Sequence, residues 1–357
     1  MTSAVKDAGP AVCLGDFLAT DFARISADVV ARCEKLEGKR LYLSGATGFF
    51  GKNLLALLTY LHGQGASFEA TALSRAPEAF LAGQPWCRGL SWLKWCQGDV
   101  SAPWPGSGDY DLILHAATDT TASAHVDKLA MFEGILGGIR QAVAFAAARG
   151  VRRMLLCGSG AQYGAIPETH ADGVPESSSL ACDTAKTTSA YGEGKRASEM
   201  LAALHAERHG FEVVNTRCFA FVGPGLPLDG HFAIGNFLQA ALAGQSIKLE
   251  SQGKAMRSYL YGADLAVWLI VLLLEAAPGA VVNVGSGQGI SIIDLATRVR
   301  DLVDSRLTVE RGNRSFAEER HIYVPRIDGA QALGLDAWTD LDRAITRTAM
   351  WHRRGEG

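Results

Sequence analysis

The sequence predicts an α/β fold, a doubly wound parallel sheet with a smaller C-terminal lobe, on three observations. An apolar strand, Leu41-Tyr42-Leu43-Ser44, runs into glycines at 45, 48 and 51 and then into a helix with Leu54, Leu55, Leu57, Leu58 and Leu61 at apolar positions. Strand-like runs then alternate with helices, the pitch of parallel βαβ units. After residue 224 the texture changes to shorter elements, opened by Pro224-Gly225-Leu226-Pro227 and Asp229-Gly230.

Taken in order, residues 1–37 carry a helical pattern (Phe17, Phe22, Ile25, Val29, Val30, Cys33, Leu36) that stops at Gly38, which predicts one or two accessory helices packed on the main domain. Beyond the glycine turn, strands are expected over 68–73, 90–94, 112–115, 153–157 and 212–217. Amphipathic helices are expected over 128–149 and 191–209, closed by Gly150 and Gly210. The uncharged run 265–274 is too short to cross a bilayer, which takes about 20 residues, and reads as a buried helix. The expected organisation is a helical extension at 1–37, a dinucleotide-binding Rossmann domain at 38–224 with a return segment near 258–285, and a substrate-binding lobe at 225–357.

The glycine turn carries the first chemical reading. Gly45 permits a tight turn, Gly48 removes a side chain that would block a phosphate, and Gly51 lets the helix pack on its strand, while the helix N-terminus offers amide donors. A nucleotide cofactor follows. Composition narrows the partners: 357 residues with 48% hydrophobic and 20% charged residues and a net charge of -3 give no basic field for nucleic acid. Seven scattered cysteines without a C-x-x-C pair suggest neither a zinc ribbon nor a disulfide framework, and a reducing cytoplasm fits them. The N-terminus lacks the order of a signal peptide, and neither a membrane nor a metal is expected. His205 and His209 lie one helical turn apart but lack the H-E-x-x-H order of a zinc site.

Tyr191 and Lys195, four apart on a helix, present a phenol and an ammonium on one face, and a neighbouring cation is expected to lower the phenol pKa towards a range useful for acid/base work. One strand earlier, Leu155 to Gly164 ends a strand with Ser159. Glycine turn, serine, tyrosine and lysine in this order resemble the extended short-chain dehydrogenase/reductase (NAD-dependent epimerase/dehydratase) family, in its nucleotide-sugar-modifying branch. The resemblance extends over most of residues 40–345, through Gly98-Asp99-Val100, His115-Ala116-Ala117, Thr216 to Pro224, Gly253 to Arg257, Ser258 to Tyr261 with Asp264-Leu265, and Val282 to Gly287. It implies Ser159, Tyr191 and Lys195 as catalytic residues. It also implies cofactor contacts from Gly45, Thr47, Gly48, Phe49, Phe50, Gly51, Asp99, Val100, His115, Ala116, Ala117, Tyr191, Lys195, Phe219 and Val222, with Asp99 on the adenine. Arg257 is the expected substrate-phosphate ligand, since a guanidinium can pair two phosphate oxygens. Ser159, Thr120, Gln162 and Asn236 are further substrate candidates, with Thr118, His231, Phe232 and Phe237 beside them.

The departures from the family's pattern are informative. Gly160 and Ala161 stand where dehydratases resemble one another in an Asp-Glu pair, so 4,6-dehydration and glutamate-dependent decarboxylation are disfavoured. Ser74 and Arg75 replace the acid that holds an adenosine ribose and suit a 2′-phosphate, which favours NADP over NAD. The expected activity is reduction of a 4-keto(-6-deoxy) sugar on a nucleotide diphosphate, with Tyr191 as general acid. The alternatives are an epimerase with a retained cofactor and a non-catalytic dinucleotide sensor. Gly134 and Ala220 replace asparagines common in the family and leave the sugar open. The helices at 128–149 and 191–209 resemble a pair that forms a four-helix subunit interface, which implies a homodimer.

Overall fold

The computed structural model describes residues 12–118, 126–230, 232–313 and 321–354. The chain enters through α1 (Leu14–Phe22) and α2 (Ala27–Arg32), followed by β1 (Arg40–Ser44), α3 (Phe49–Gly63), β2 (Glu69–Ser74), α4 (Pro77–Gly83), β3 (Leu93–Gln97) and β4 (Leu112–His115). Next come α5 (Lys128–Ala148), β5 (Arg153–Cys157), α6 (Ala190–His209), β6 (Glu212–Cys218), β7 (Phe221–Val222), α7 (Ala233–Leu242), β8 (Ile247–Lys248), β9 (Met256–Arg257) and β10 (Leu260–Tyr261). The last elements are α8 (Gly262–Glu275), β11 (Val281–Val284), β12 (Ile290–Ser291), α9 (Ile292–Val303), β13 (Val309–Glu310), β14 (Ile322–Tyr323), α10 (Asp328–Gln331) and α11 (Leu341–Arg353).

Seven strands form a wholly parallel sheet in the order β11-β6-β5-β4-β1-β2-β3. The strand order reverses between β1 and β4, and the crevice beyond the carboxyl ends there is where open α/β sheets take ligands. Side chains alternate between two apolar layers, as the period of a strand dictates. Leu41, Leu43, Leu112, Leu114, Leu155 and Cys157 join the layer that contains α1, α3 and α8, while Tyr42, Ile113, Met154 and Leu156 join the layer built on α5. By length and composition α5 could cross a membrane, yet Ile139, Ala142, Val143 and Ala146 are buried against the sheet.

Strand β3 begins three residues later than the sequence suggests. Gly89 takes φ 73° and the amide of Leu93 bonds back to Leu90, so the chain is held in a turn until Leu93 can pair with Ala70. Helix α6 ends as expected, on Gly210 in the left-handed conformation.

The extension is built into the core rather than appended to it. Asp21 on α1 is buried and accepts from the Tyr261 hydroxyl at 2.8 Å, from Arg347 at 2.8 Å and from Arg343 at 3.2 Å. The Arg347 guanidinium also lies 3.7 Å from the centroid of Phe17. Further along, Arg32 and Lys35 both pair with Glu275 at the end of α8, and this holds the Glu275 carboxyl down to about 2.

Beyond residue 224 the chain rejoins the sheet through α8 and β11. The short strands pair with one another or with β7 just before residue 224: β7 with β10, β8 with β13, and β9 between β12 and β14. The last of these sets Tyr323 directly opposite Arg257.

Candidate active site

The three glycines of the turn have distinct geometries. Gly45 has φ 82°, and a Cβ there would lie 2.7 Å from the backbone of both Ala116 and Ala117, so the turn presses against the end of β4. A Cβ on Gly51 would lie 2.3 Å from the Ala46 backbone, which ties α3 to its strand. Gly48 is exposed, and its nearest neighbour would be the Gly45 oxygen at 3.6 Å. That position meets no obstruction and opens onto the α3 N-terminus, the environment that suits a phosphate. Thr47, Phe49 and Phe50 flank it half-buried, and Phe50 meets Phe221 edge-on at 4.8 Å.

At the end of β2, the Ser74 hydroxyl accepts from the Ala76 amide and Arg75 is exposed. Asp99, beyond β3, is exposed and accepts from the Ser101 amide, while Val100 packs against the α5 layer. His115 is buried and shares a 2.6 Å hydrogen bond with Ser44, which clamps β4 to β1 at the crevice. Burial, reinforced by the charge of Lys195, pushes His115 down to about 3, so it is neutral under the site.

Ser159, Tyr191 and Lys195 converge. Lys195 is buried and donates to the Thr118 hydroxyl at 2.6 Å and to the Cys157 carbonyl at 2.9 Å. Thr118 directly follows the Ala116-Ala117 pair that touches Gly45, so the ammonium stands next to the glycine turn. Ser159 is buried, accepts from the Ala161 amide at 3.1 Å and hydrogen-bonds the Tyr191 phenol. The expectation of a lowered tyrosine pKa is corrected. Burial outweighs the Ser159 bond and pushes Tyr191 up to about 12, while the same desolvation lowers Lys195. The ammonium bonds Thr118 and Cys157, and desolvation decides the phenol's protonation.

On the substrate side the candidates separate. Arg257 donates through Nη1 to the carbonyls of Met256 and His321, and its guanidinium lies 5.7 Å from the Tyr323 ring centroid. Gln162 is buried and donates at 2.7 Å to Glu199, which is itself paired with Arg217, so it serves the scaffold rather than an open pocket. Val222 is fully buried in the main core, and its side chain is closed to a cofactor. Phe219 remains at the site, where a Cβ on Gly160 would fall 2.7 Å from its ring. Asn236 is exposed on α7 and lines a surface cavity of about 560 Å³ with Lys248 and Glu310, among residues that do not include Ser159 or Tyr191. Thr120 and His231 lie outside the described residues.

Sequence reasoning missed Tyr323, whose hydroxyl lies 3.5 Å from that of Ser159. Its local sequence, His321-Ile322-Tyr323-Val324, carries no signal; only the pairing of β14 with β9 brings it to the site. Among the described residues no group of three side chains could hold a metal, and His205 and His209 simply stack at 5.5 Å.

A glycine turn at the switch point of a parallel sheet, facing a serine, a tyrosine and a lysine, defines the dinucleotide-dependent short-chain dehydrogenase/reductase class. The sequence profile of the NAD dependent epimerase/dehydratase family matches residues 41–285, more than half of the chain, and the protein belongs to that family. Among its relatives is UDP-glucuronic acid decarboxylase 3 of Arabidopsis thaliana, 30% identical over 122 residues, which are 34% of this chain and 35% of that protein. The chain thus matches about a third of the length of such curated relatives. Among solved structures, the UDP-N-acetylglucosamine 4-epimerase of Methanobrevibacter ruminantium, in complex with UDP-N-acetylmuramic acid, aligns with a TM-score of 0.76 at 18% identity, covering 89% of this chain and 99% of that one. The Bordetella bronchiseptica enzyme WbmF, in complex with NAD+ and UDP, aligns with a TM-score of 0.72 at 20% identity, covering 90% and 93%. These two likenesses show the fold.

Proposed function

We propose that the protein is an NADP-dependent oxidoreductase that reduces a 4-keto(-6-deoxy) sugar carried on a nucleotide diphosphate, with Tyr191 as general acid. The observation that carries this reading is the convergence of Ser159, Tyr191 and Lys195 beside the Gly45 turn. The bound dinucleotide would supply the hydride. As negative charge grows on the substrate oxygen, the Ser159 hydroxyl holds that oxygen, Tyr191 gives it a proton, and the Lys195 ammonium offsets the phenolate left behind. A phenol held up at about 12 is protonated at neutral pH, which is the state reduction requires.

Dehydration and decarboxylation remain disfavoured, because the positions after Ser159 carry no carboxylate and a Cβ at Gly160 would meet the Phe219 ring. Arg75, exposed at the end of β2 and preceded by Ser74 rather than an acid, supports a 2′-phosphorylated cofactor, with NAD as the alternative. A second reading, epimerisation, is favoured by the epimerases among the structural neighbours. We place the protein in a reducing cytoplasm on its seven free thiols, and as a homodimer through α5 and α6, where Leu129, Met200 and Leu204 are exposed.

The test is incubation with NADPH or NADH and a panel of 4-keto nucleotide sugars. Steady absorbance loss at 340 nm identifies a reductase. Inversion of the sugar without net cofactor use identifies an epimerase, and cofactor binding with neither would reduce the protein to a sensor.

A further inference from the structure

We infer that the cavity between α9 and α11 is a second binding site, for a small organic dication such as an alkyl diamine, held by Asp294, Asp340 and the Tyr259 hydroxyl. None of Ser159, Tyr191, Lys195 or Arg257 lines this cavity, so the inference goes beyond the proposed reaction and does not depend on it. Its volume of about 660 Å³ lies in the range of small-molecule pockets.

The first argument is charge. Four carboxylates face the cavity, Asp294 and Asp301 on α9 with Asp340 and Asp342 at the start of α11, against the guanidinium of Arg298. Arg298 pairs with Asp342 at 3.1 Å, and Arg300 pairs with Asp301 at 2.6 Å. Asp294 and Asp340 have no cation among the described residues: Asp294 accepts from the Ser291 hydroxyl, and Asp340 accepts from the Arg343 amide at 2.8 Å. The N-termini of α9 and α11 offset about half a charge each, which leaves this pair in excess. Among the described residues no group of three acids, histidines or cysteines could hold a metal ion, which favours two separated positive charges over one metal.

The second argument is the buried wall of the cavity. Tyr259 is 9% exposed and lines it, and among the described residues its hydroxyl has no hydrogen-bond partner. Other buried phenols have close ones: Tyr42 at 2.6 Å from the Pro105 carbonyl, Tyr261 at 2.8 Å from Asp21, and Tyr163 at 2.9 Å from Asn283. A buried hydroxyl without a partner carries a desolvation cost that a ligand can remove. An ammonium has three N–H donors, more than one carboxylate contact uses, and the Tyr259 oxygen can accept another. Trp338, half-buried two residues before Asp340, adds indole surface for an alkyl chain and its charged end.

The test is calorimetric titration of the full chain at low ionic strength with 1,4-diaminobutane, butylamine and magnesium chloride, in the wild type and in Asp294→Asn, Asp340→Asn and Tyr259→Phe. Asparagine keeps a side-chain oxygen for the cap at each position, and phenylalanine keeps the buried ring. The expected result is saturable binding of the diamine at one site, weakened about tenfold for butylamine and about tenfold in either asparagine variant. Tyr259→Phe should also weaken the diamine, by about fivefold. Diamine affinity that is the same in the wild type and both asparagine variants overturns the inference, since the attraction would then be that of an acidic surface in general. Full affinity in Tyr259→Phe overturns the placement in this cavity. Magnesium bound as tightly as the diamine, or no saturable binding of the diamine, overturns the ligand class. Every one of these outcomes leaves the proposed function standing.

Discussion

Two phenol-containing clusters in this molecule have opposite character. At the junction of α1, β10 and α11, the Tyr261 hydroxyl, the Asp21 carboxylate and the guanidiniums of Arg343 and Arg347 satisfy one another at 2.8 to 3.2 Å. At the sheet switch point, Tyr191 and Tyr323 share Ser159 and the Tyr323 bonds are stretched. The closed cluster fixes the fold, since the buried Asp21 carboxylate is answered by two guanidiniums and a phenol. Burial alone therefore does not mark a functional site.

The largest effect should come from the open cluster. Tyr191→Phe should lower turnover by about 10³-fold, as expected for loss of a general acid, while NADPH binding followed by fluorescence is retained. Unchanged turnover would remove Tyr191 from the chemistry. In the closed cluster, Asp21→Ala leaves two guanidiniums without their counter-charge and should cost about 3–5 kcal/mol of stability in denaturant titrations, with the wild-type rate constant for the molecules that remain folded. If Asp21→Ala cut turnover in fully folded protein, the two clusters would not be separable.

A smaller effect distinguishes two buried titratable groups by sign. His115 has a folded pKa of about 3 against 6.5 unfolded, so the unfolded chain binds the extra proton and stability is lost as pH falls through that window. Asp264 on α8, held by Thr339 and raised by burial to about 7 from 3.8, binds its proton in the folded state, and stability is lost as pH rises through its window. Between pH 4 and 6.5 the two slopes, each about 1.4 kcal/mol per pH unit, oppose each other. Relative to wild type, Asp264→Asn should tilt stability upward with pH and His115→Asn downward, measured as melting temperature across that range. The smallest effect is on cofactor choice: Arg75→Ala should weaken NADPH binding about tenfold and leave NADH unchanged. Equal losses for both would count against the 2′-phosphate reading.

The parts of the site that follow from short covalent spacing were legible in the sequence. The glycine turn, the Tyr191–Lys195 helix turn and Ser159 at a strand end each lie within a few residues of the element that aims them, so local geometry converts directly into placement. Six of the seven strands of the sheet were legible for the same reason, apart from the late start of β3, which depends on a turn at Gly89; β11 was covered only by the expected return segment near 258–285. What was not legible depends on two-residue strands and long-range pairing. Tyr323 reaches Ser159 only because β14 lies beside β9, and Gln162 is diverted from the pocket by Glu199 on another helix. The protonation of Tyr191 was misread because spacing reports the nearby ammonium but not the loss of water around the phenol.

The clamp between Asp21 and Arg347 also bears on how this chain is made. Helix α1 precedes by more than three hundred residues the guanidinium that neutralises its buried carboxylate. Until then the nascent helix has no reason to surrender its hydration. Final locking of the fold is thereby deferred until Arg347 has been made, which makes α1 a natural place for a chaperone to hold the chain.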